Sequence, residues 1–154
     1  MWIIDPPNNK ESFVEYEKPF TKDEWKDIFT KIKTVEISEE STVVIFATES
    51  DISLYYKLAD EYKYFIATLY WYRPNITSKK HQFFTNNIVP ICILSRKDKL
   101  HYGPFKNSGS NQIICNSITS PTTDANNKVY QIEEKPWQLY WNIIAYFYNP
   151  NLKV

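Results

Sequence analysis

Trp2-Ile3-Ile4-Asp5-Pro6-Pro7-Asn8 opens the chain with a short apolar run that two consecutive prolines cut off. Neither strand nor helix continues through such a pair, because each proline fixes φ and lacks an N–H. The stretch reads as a strand that delivers Asp5 to a sharp exit loop. A carboxylate in that place has a plain chemical use. The prolines hold the backbone nearly extended and leave carbonyls free, so an acid oxygen and a proline carbonyl can both accept hydrogen bonds from one exocyclic amine. Drawing that nitrogen toward a tetrahedral geometry makes it a nucleophile, with positioning supplying most of the rate. The plainer reading is a strand stop in which Asp5 caps a turn.

Outward from this turn the pattern is α/β. Thr21 and Glu24 form a capping box, and Trp25, Ile28, Phe29 and Ile32 recur at helical spacing, which predicts a helix from about Lys22. Residues 42–47 are a continuous β-branched and apolar run, the mark of a strand buried on both faces. Ser50 or Asp51 is expected to cap a second helix, with Ile52, Tyr55, Tyr56, Ala59 and Tyr62 on one stripe. A third strand is expected near 64–72 and a fourth near 88–94, where Pro90 argues for an edge position or a start just after it. Residues 107–127, rich in Ser, Thr and Asn, read as a long polar loop broken only by Ile113-Ile114-Cys115. A last helix is expected from Pro136, carrying Trp137, Tyr140, Trp141, Ile144 and Phe147 or Tyr148 on one face. The order predicts a single domain over 1–154: a mainly parallel sheet of about four strands with flanking helices. Ligands of such sheets sit outside the carboxyl ends of the strands, where Asp5 falls.

Composition narrows the function. The 154 residues include 5 Trp, 12 Tyr and 9 Phe but only 2 Gly, so no glycine-rich phosphate cradle exists here. With 43% hydrophobic residues the chain can build a core, which excludes disorder. No apolar run approaches the ~20 residues of a membrane span, and the N-terminus lacks a signal-peptide pattern. An intracellular protein is expected, in cytoplasm or nucleus alike, with no membrane partner. Cys92 and Cys115 make no disulfide framework; Cys92 reads as a core thiol in a reducing compartment. His81 and His101 lack companions at ligand spacing, so no metal site is expected. The net charge is zero, but residues 1–72 hold 8 basic and 14 acidic side chains. Residues 73–106 hold 7 basic and 1 acidic. Arg73, Lys79, Lys80, Arg96 and Lys97 in that segment are candidates for a basic lip that steers a nucleic acid.

The motifs, in their order, resemble the S-adenosylmethionine-dependent amino-methyltransferases of DNA and RNA, which methylate N6 of adenine or N4 of cytosine. In that family a strand ends in [Asp/Asn]-Pro-Pro-aromatic, matched by Asp5-Pro6-Pro7-Asn8. A later Trp-x-Lys/Arg-Pro-Asn step is matched by Trp71-Tyr72-Arg73-Pro74-Asn75, and a strand with a Ser-Lys-like turn by Ile91-Cys92-Ile93-Leu94-Ser95-Arg96-Lys97. The family's K-P-x-x-L/I-x-x-x-I-I helix is matched by Lys135-Pro136-Trp137-Gln138-Leu139-Tyr140-Trp141-Asn142-Ile143-Ile144. Asn149-Pro150-Asn151-Leu152-Lys153-Val154 matches the opening of the cofactor motif. The resemblance spans essentially the whole chain, in the permuted order that places the catalytic half first.

What the resemblance implies is a partial Rossmann-like methyltransferase sheet that lacks the cofactor-motif strands. Asp5, Pro6, Pro7 and Asn8 would form the catalytic turn, and Asp5, Lys135 and Pro136 would border S-adenosylmethionine, bound weakly or not at all by the isolated chain. DNA or RNA would be the partner, together with a second methyltransferase-like subunit or a second copy. Asn8 departs from the family, because an amide offers a poor stacking face for a flipped base. Three functions compete: a methyltransferase-like partner subunit impaired in catalysis, an active amino-methyltransferase completed by a second polypeptide, and a nucleic-acid-binding protein unrelated to methylation. The last would stack bases on Phe83, Phe84, Tyr102 and Phe105.

Overall fold

The computed structural model describes residues 1–6, 20–34, 42–75, 87–96, 111–116, 122–123, 129–131 and 135–147. Its centre is strand β2 (Thr42–Phe46), all five residues of which are buried, as the unbroken apolar run requires. On one side β2 pairs in parallel with β1 (Trp2–Ile4), Ile4 beside Ile45. On the other it pairs antiparallel with β4 (Ile88–Ser95), Ile45 opposite Cys92. Next come β3 (Phe65–Tyr72), antiparallel to β4, and β5 (Gln112–Ile114), parallel to β3. The order β1-β2-β4-β3-β5 has four strands running one way and β4 alone against them.

Alternation along the strands divides the core into two layers. Val43, Ile45, Cys92 and Leu94 face helices α1 (Lys22–Thr34) and α2 (Ile52–Tyr62), meeting Trp25, Phe29, Tyr55 and Leu58. Val44, Phe46, Ile91 and Ile93 face helix α3 (Trp137–Phe147), meeting Leu139, Ile143 and Phe147. The capping box of α1 forms as its sequence predicts. The Thr21 N–H and hydroxyl both donate to Glu24 Oε2, at 2.6 and 2.8 Å, and the Glu24 N–H donates back to Thr21 Oγ1 at 3.3 Å. Those bonds favour the carboxylate and lower the Glu24 pKa. Cys92 is a core thiol: burial pushes its pKa up to about 12, against a smaller opposing effect from a Thr68 hydrogen bond.

Four expectations need correction. Pro90 lies neither at an edge nor before the strand, since β4 has a neighbour on each side. Its carbonyl accepts the Ala47 N–H at 3.0 Å, one residue past the end of β2, so the N–H that proline lacks faces a partner strand that is just ending. At α2 the N-cap residue is Asp51, but its carboxylate accepts from the Thr48 hydroxyl at 2.6 Å and makes no bond to the helix backbone. The 107–127 segment contains, besides β5, strand β6 (Thr122–Thr123), which pairs antiparallel with β7 (Val129–Gln131). On α3 the tryptophans are not on the buried stripe. Trp137 and Trp141 are 75% and 63% exposed, while Leu139, Ile143 and Phe147 face the sheet. Residues 149–154, matched to the opening of the cofactor motif, lie outside the described residues.

Helix α2 ends at Lys63, whose φ of 61° places a non-glycine residue in the left-handed region. Glycine adopts that conformation without the Cβ clash, so Lys63→Gly is expected to stabilise the protein by about 1 kcal/mol in urea denaturation. On α3, Ile143→Ala is expected to cost about 2–5 kcal/mol and Trp141→Ala less than ~0.5 kcal/mol. Equal losses would show that the tryptophan face is buried.

Candidate functional site

β1, β2, β3 and β5 end at one rim of the sheet, and the site is built there from chain segments far apart in sequence. Asp5 follows β1 directly; the parallel register carries it beside Phe46, the last residue of β2. Alternation puts both on the α3 side, where Ile3 and Phe46 already pack. Lys135 stands just before α3. Pro136 is buried, and its carbonyl accepts the Leu139 N–H at 2.9 Å to open the helix, a position where proline loses no intrahelical bond. Seating Leu139 and Ile143 on the sheet therefore swings Lys135 onto the carboxylate.

The contact is two-pronged. Lys135 Nζ donates to Asp5 Oδ1 at 2.5 Å and to Oδ2 at 2.6 Å, a charge-assisted pair across 130 residues. The lysine side chain is 12% exposed and the aspartate 34%, so the pair is shielded from the protein side and open toward solvent on the carboxylate side. Beneath it the Phe46 ring centre lies 4.8 Å from Nζ, a cation–π contact. Tyr140 meets Phe46 edge-on at 5.8 Å. Chemically the arrangement offers an oriented carboxylate whose charge is balanced, on an apolar floor.

The sequence-derived candidates are only partly brought together. Asp5, Pro6, Lys135 and Pro136 converge, whereas Pro7 and Asn8 lie outside the described residues. Arg73 is on the same rim, after β3, its N–H donating to the Asn87 carbonyl at 2.7 Å and its guanidinium 5.5 Å from the Trp71 ring. Three strand spacings, roughly 14 Å, separate β3 from β1. Arg96 is at the opposite end of the sheet, donating to the Lys33 carbonyl in the last turn of α1 at 2.6 Å. A single basic lip holding both arginines is thus not what the fold builds, because β4 runs against its neighbours and carries Arg96 away from the rim. Lys79, Lys80 and Lys97 lie outside the described residues, as do His81, His101, Phe83, Phe84, Tyr102 and Phe105. Among the described residues no group of three His, Cys, Asp or Glu side chains is placed to hold a metal, and no helix is long and apolar enough to cross a membrane.

Sequence reading missed the part of Phe46, which underlies Lys135, and of Tyr140, which braces Phe46. The available signal was position: Phe46 ends the buried strand beside the one that delivers Asp5.

The mixed α/β sheet with one reversed strand, helices on both faces and an aspartate leaving β1 matches part of a methyltransferase-like fold. Solved structures share it, among them two of M1.HpyAVI. The crystal structure of the M1.HpyAVI–SAM complex matches 97% of this chain with a TM-score of 0.66 and 20% identity. The crystal structure of M1.HpyAVI matches 97% with a TM-score of 0.60 and 16% identity. This chain spans 65% and 63% of those two chains. No family model matches it, and no curated protein matches it.

The pair lies at the rim of the core, the aspartate 34% exposed and the lysine 12%. A double-mutant cycle of Asp5→Asn and Lys135→Met in urea denaturation is expected to give a coupling of about 1 kcal/mol, reduced from a fully buried pair by the exposure of the carboxylate. Additive effects would show that the pair is not formed in solution.

Proposed function

We propose that the chain is a methyltransferase-like protein of the S-adenosylmethionine-dependent amino-methyltransferase type, presenting the base-accepting side of the site. The observation that carries the reading is the Asp5–Lys135 pair at the carboxyl rim of the sheet. The fold likeness to M1.HpyAVI, solved with SAM, supports it. The residues present suit such a cofactor. Asp5 and Lys135 are neutral in sum, so a sulfonium nearby meets no net charge, and Pro136 and Phe46 supply apolar surface. Lys135 and Pro136 would border the bound molecule, which supplies an electrophilic methyl group.

The chain's own residues do the rest. A carboxylate has about four acceptor positions, and the two-pronged lysine contact uses two. Asp5 therefore retains capacity to accept an N–H from the target amine while its orientation is held. Pro6, half-buried beside it, contributes a carbonyl without a competing N–H. Two acceptors on one amine turn its lone pair toward the methyl group, and the proton displaced on transfer leaves through the solvent-facing side of Asp5. Adenine N6 and cytosine N4 in DNA or RNA are the amines of this type.

Asn8 favours a second reading, a partner subunit that binds nucleic acid but is impaired in transfer. An amide after the two prolines gives a base no ring to stack on, a contact worth roughly 1–3 kcal/mol elsewhere. Calorimetric titration with S-adenosylmethionine, and transfer of a labelled methyl group to single- and double-stranded DNA and RNA, separate the two. On the first reading transfer occurs, with a second methyltransferase polypeptide or without it, and Asp5→Ala lowers it by about 100-fold or more. Nucleic-acid binding without transfer, unchanged by Asn8→Tyr, fits the partner subunit. Absence of both cofactor and nucleic-acid binding would overturn the proposal.

A further inference from the structure

The ion pair at the rim leaves unused bonding capacity on both of its members. An ammonium has three donors, and two are committed to Asp5. Among the described residues the third N–H of Lys135 has no hydrogen-bond acceptor; its other neighbour is the Phe46 ring. Asp5 keeps about two acceptor positions. Nζ lies 2.5 Å from Oδ1, so the donor capacity left on the ammonium adjoins the acceptor capacity left on the carboxylate, the lysine side chain being 12% exposed and the aspartate 34%.

That is the hydrogen-bonding pattern of an asparagine or glutamine amide, which recognises adenine by giving and taking one bond each. In duplex DNA that amide reads N6 and N7; on the Watson–Crick edge of an extruded base the complement is an amidine, an amine and an unprotonated ring nitrogen on the same carbon. Resting on the amino-methyltransferase reading of this site, we infer that Asp5 and Lys135 together select the base. Asp5 accepts from the exocyclic amine, and Lys135 donates to the adjacent ring nitrogen, N1 of adenine or N3 of cytosine. On a base held with its exocyclic group facing Asp5, uracil, thymine and hypoxanthine set a carbonyl against the carboxylate and a ring N–H against the ammonium, leaving both sides of the pair mismatched. Enzymes that extrude a base read this edge, so the pattern falls where selection is needed.

Lys135 is thereby a specificity-determining residue as well as the group that orients Asp5. Donation to the ring nitrogen draws electron density away from the amine, so the contact strengthens binding and does nothing to raise nucleophilicity. Removing it is expected to raise KM through the lost base contact and to lower kcat through the lost alignment of Asp5.

The test varies the ligand before the protein, so a merely structural role of Lys135 does not decide it. Adenosine, 1-deazaadenosine and 7-deazaadenosine are titrated into the intact chain, and the lysine Nζ and backbone resonances around 135–141 are followed by NMR. The 7-deaza compound, which keeps the amidine edge, is expected to bind like adenosine. The 1-deaza compound keeps the amine but loses the ring acceptor, and is expected to bind about tenfold more weakly or worse. Lys135→Met is expected to bind adenosine and 1-deazaadenosine alike, at the weaker level. Equal affinities in the unaltered chain, persistence of the preference in Lys135→Met, or no response to adenosine at all would each overturn the inference. S-adenosylmethionine titrated in parallel decides the underlying reading separately. Cofactor bound with no preference for adenosine removes the edge assignment alone; the adenosine preference without cofactor binding removes the methyltransferase reading alone.

Discussion

Burial of β2 on both faces is the constraint from which the remainder follows. Five consecutive buried residues demand a layer above, a layer below and a strand on each side, and no shorter arrangement hides them. Each Val or Ile fully removed from water is worth about 1.5–3 kcal/mol. The backbone amides between them must find partners at the same time, which β1 and β4 provide. Once Val43 and Ile45 belong to the α1–α2 layer, Val44 and Phe46 must belong to the α3 layer. The two cores are one decision taken at alternate residues.

From that decision comes the site. Phe46 is both the last core residue of β2 and the floor under the Lys135 ammonium. The parallel pairing of β1 fixes where Asp5 emerges, and the docking of α3 fixes where Lys135 stands. Neither side chain is anchored by its own neighbours in sequence. Their meeting is a product of the two layers sharing a strand.

Much of this was legible beforehand, and the failures have physical causes. The α1 helix and β2 could be read because one periodicity dominated each, with a capping box marking the start of the first. Helix α3 could be located but not phased. Trp137-Gln138-Leu139-Tyr140-Trp141-Asn142-Ile143-Ile144 is apolar nearly all round, so a stripe of large aromatics fits the spacing as well as the stripe that is buried. Pro90 reads as an edge signal because a sequence does not show which neighbour a missing N–H would have met. The Thr122–Thr123 strand has no apolar alternation to betray it. The basic run over 73–106 is real along the chain, yet the antiparallel hairpin of β3 and β4 sends Arg73 and Arg96 to opposite ends. Asp5 and Lys135 were each singled out, one from the strand-stop motif and one from a family resemblance. Nothing local to either residue announces a direct bond between them.

That bond joins a residue just after the first strand to one just before the last helix, across a separation that includes every other element of the sheet. Closing a contact between such distant points carries a large loop entropy, which ordering of the intervening chain removes. The carboxylate that would face a ligand is therefore set in place only when the final helix has seated. A chain halted before residue 135 lacks both Lys135 and the α3 layer, and so leaves Asp5 without its partner. Competence at the rim is thus coupled to completion of the fold, and a partly synthesised or partly unfolded chain carries the acid without the geometry.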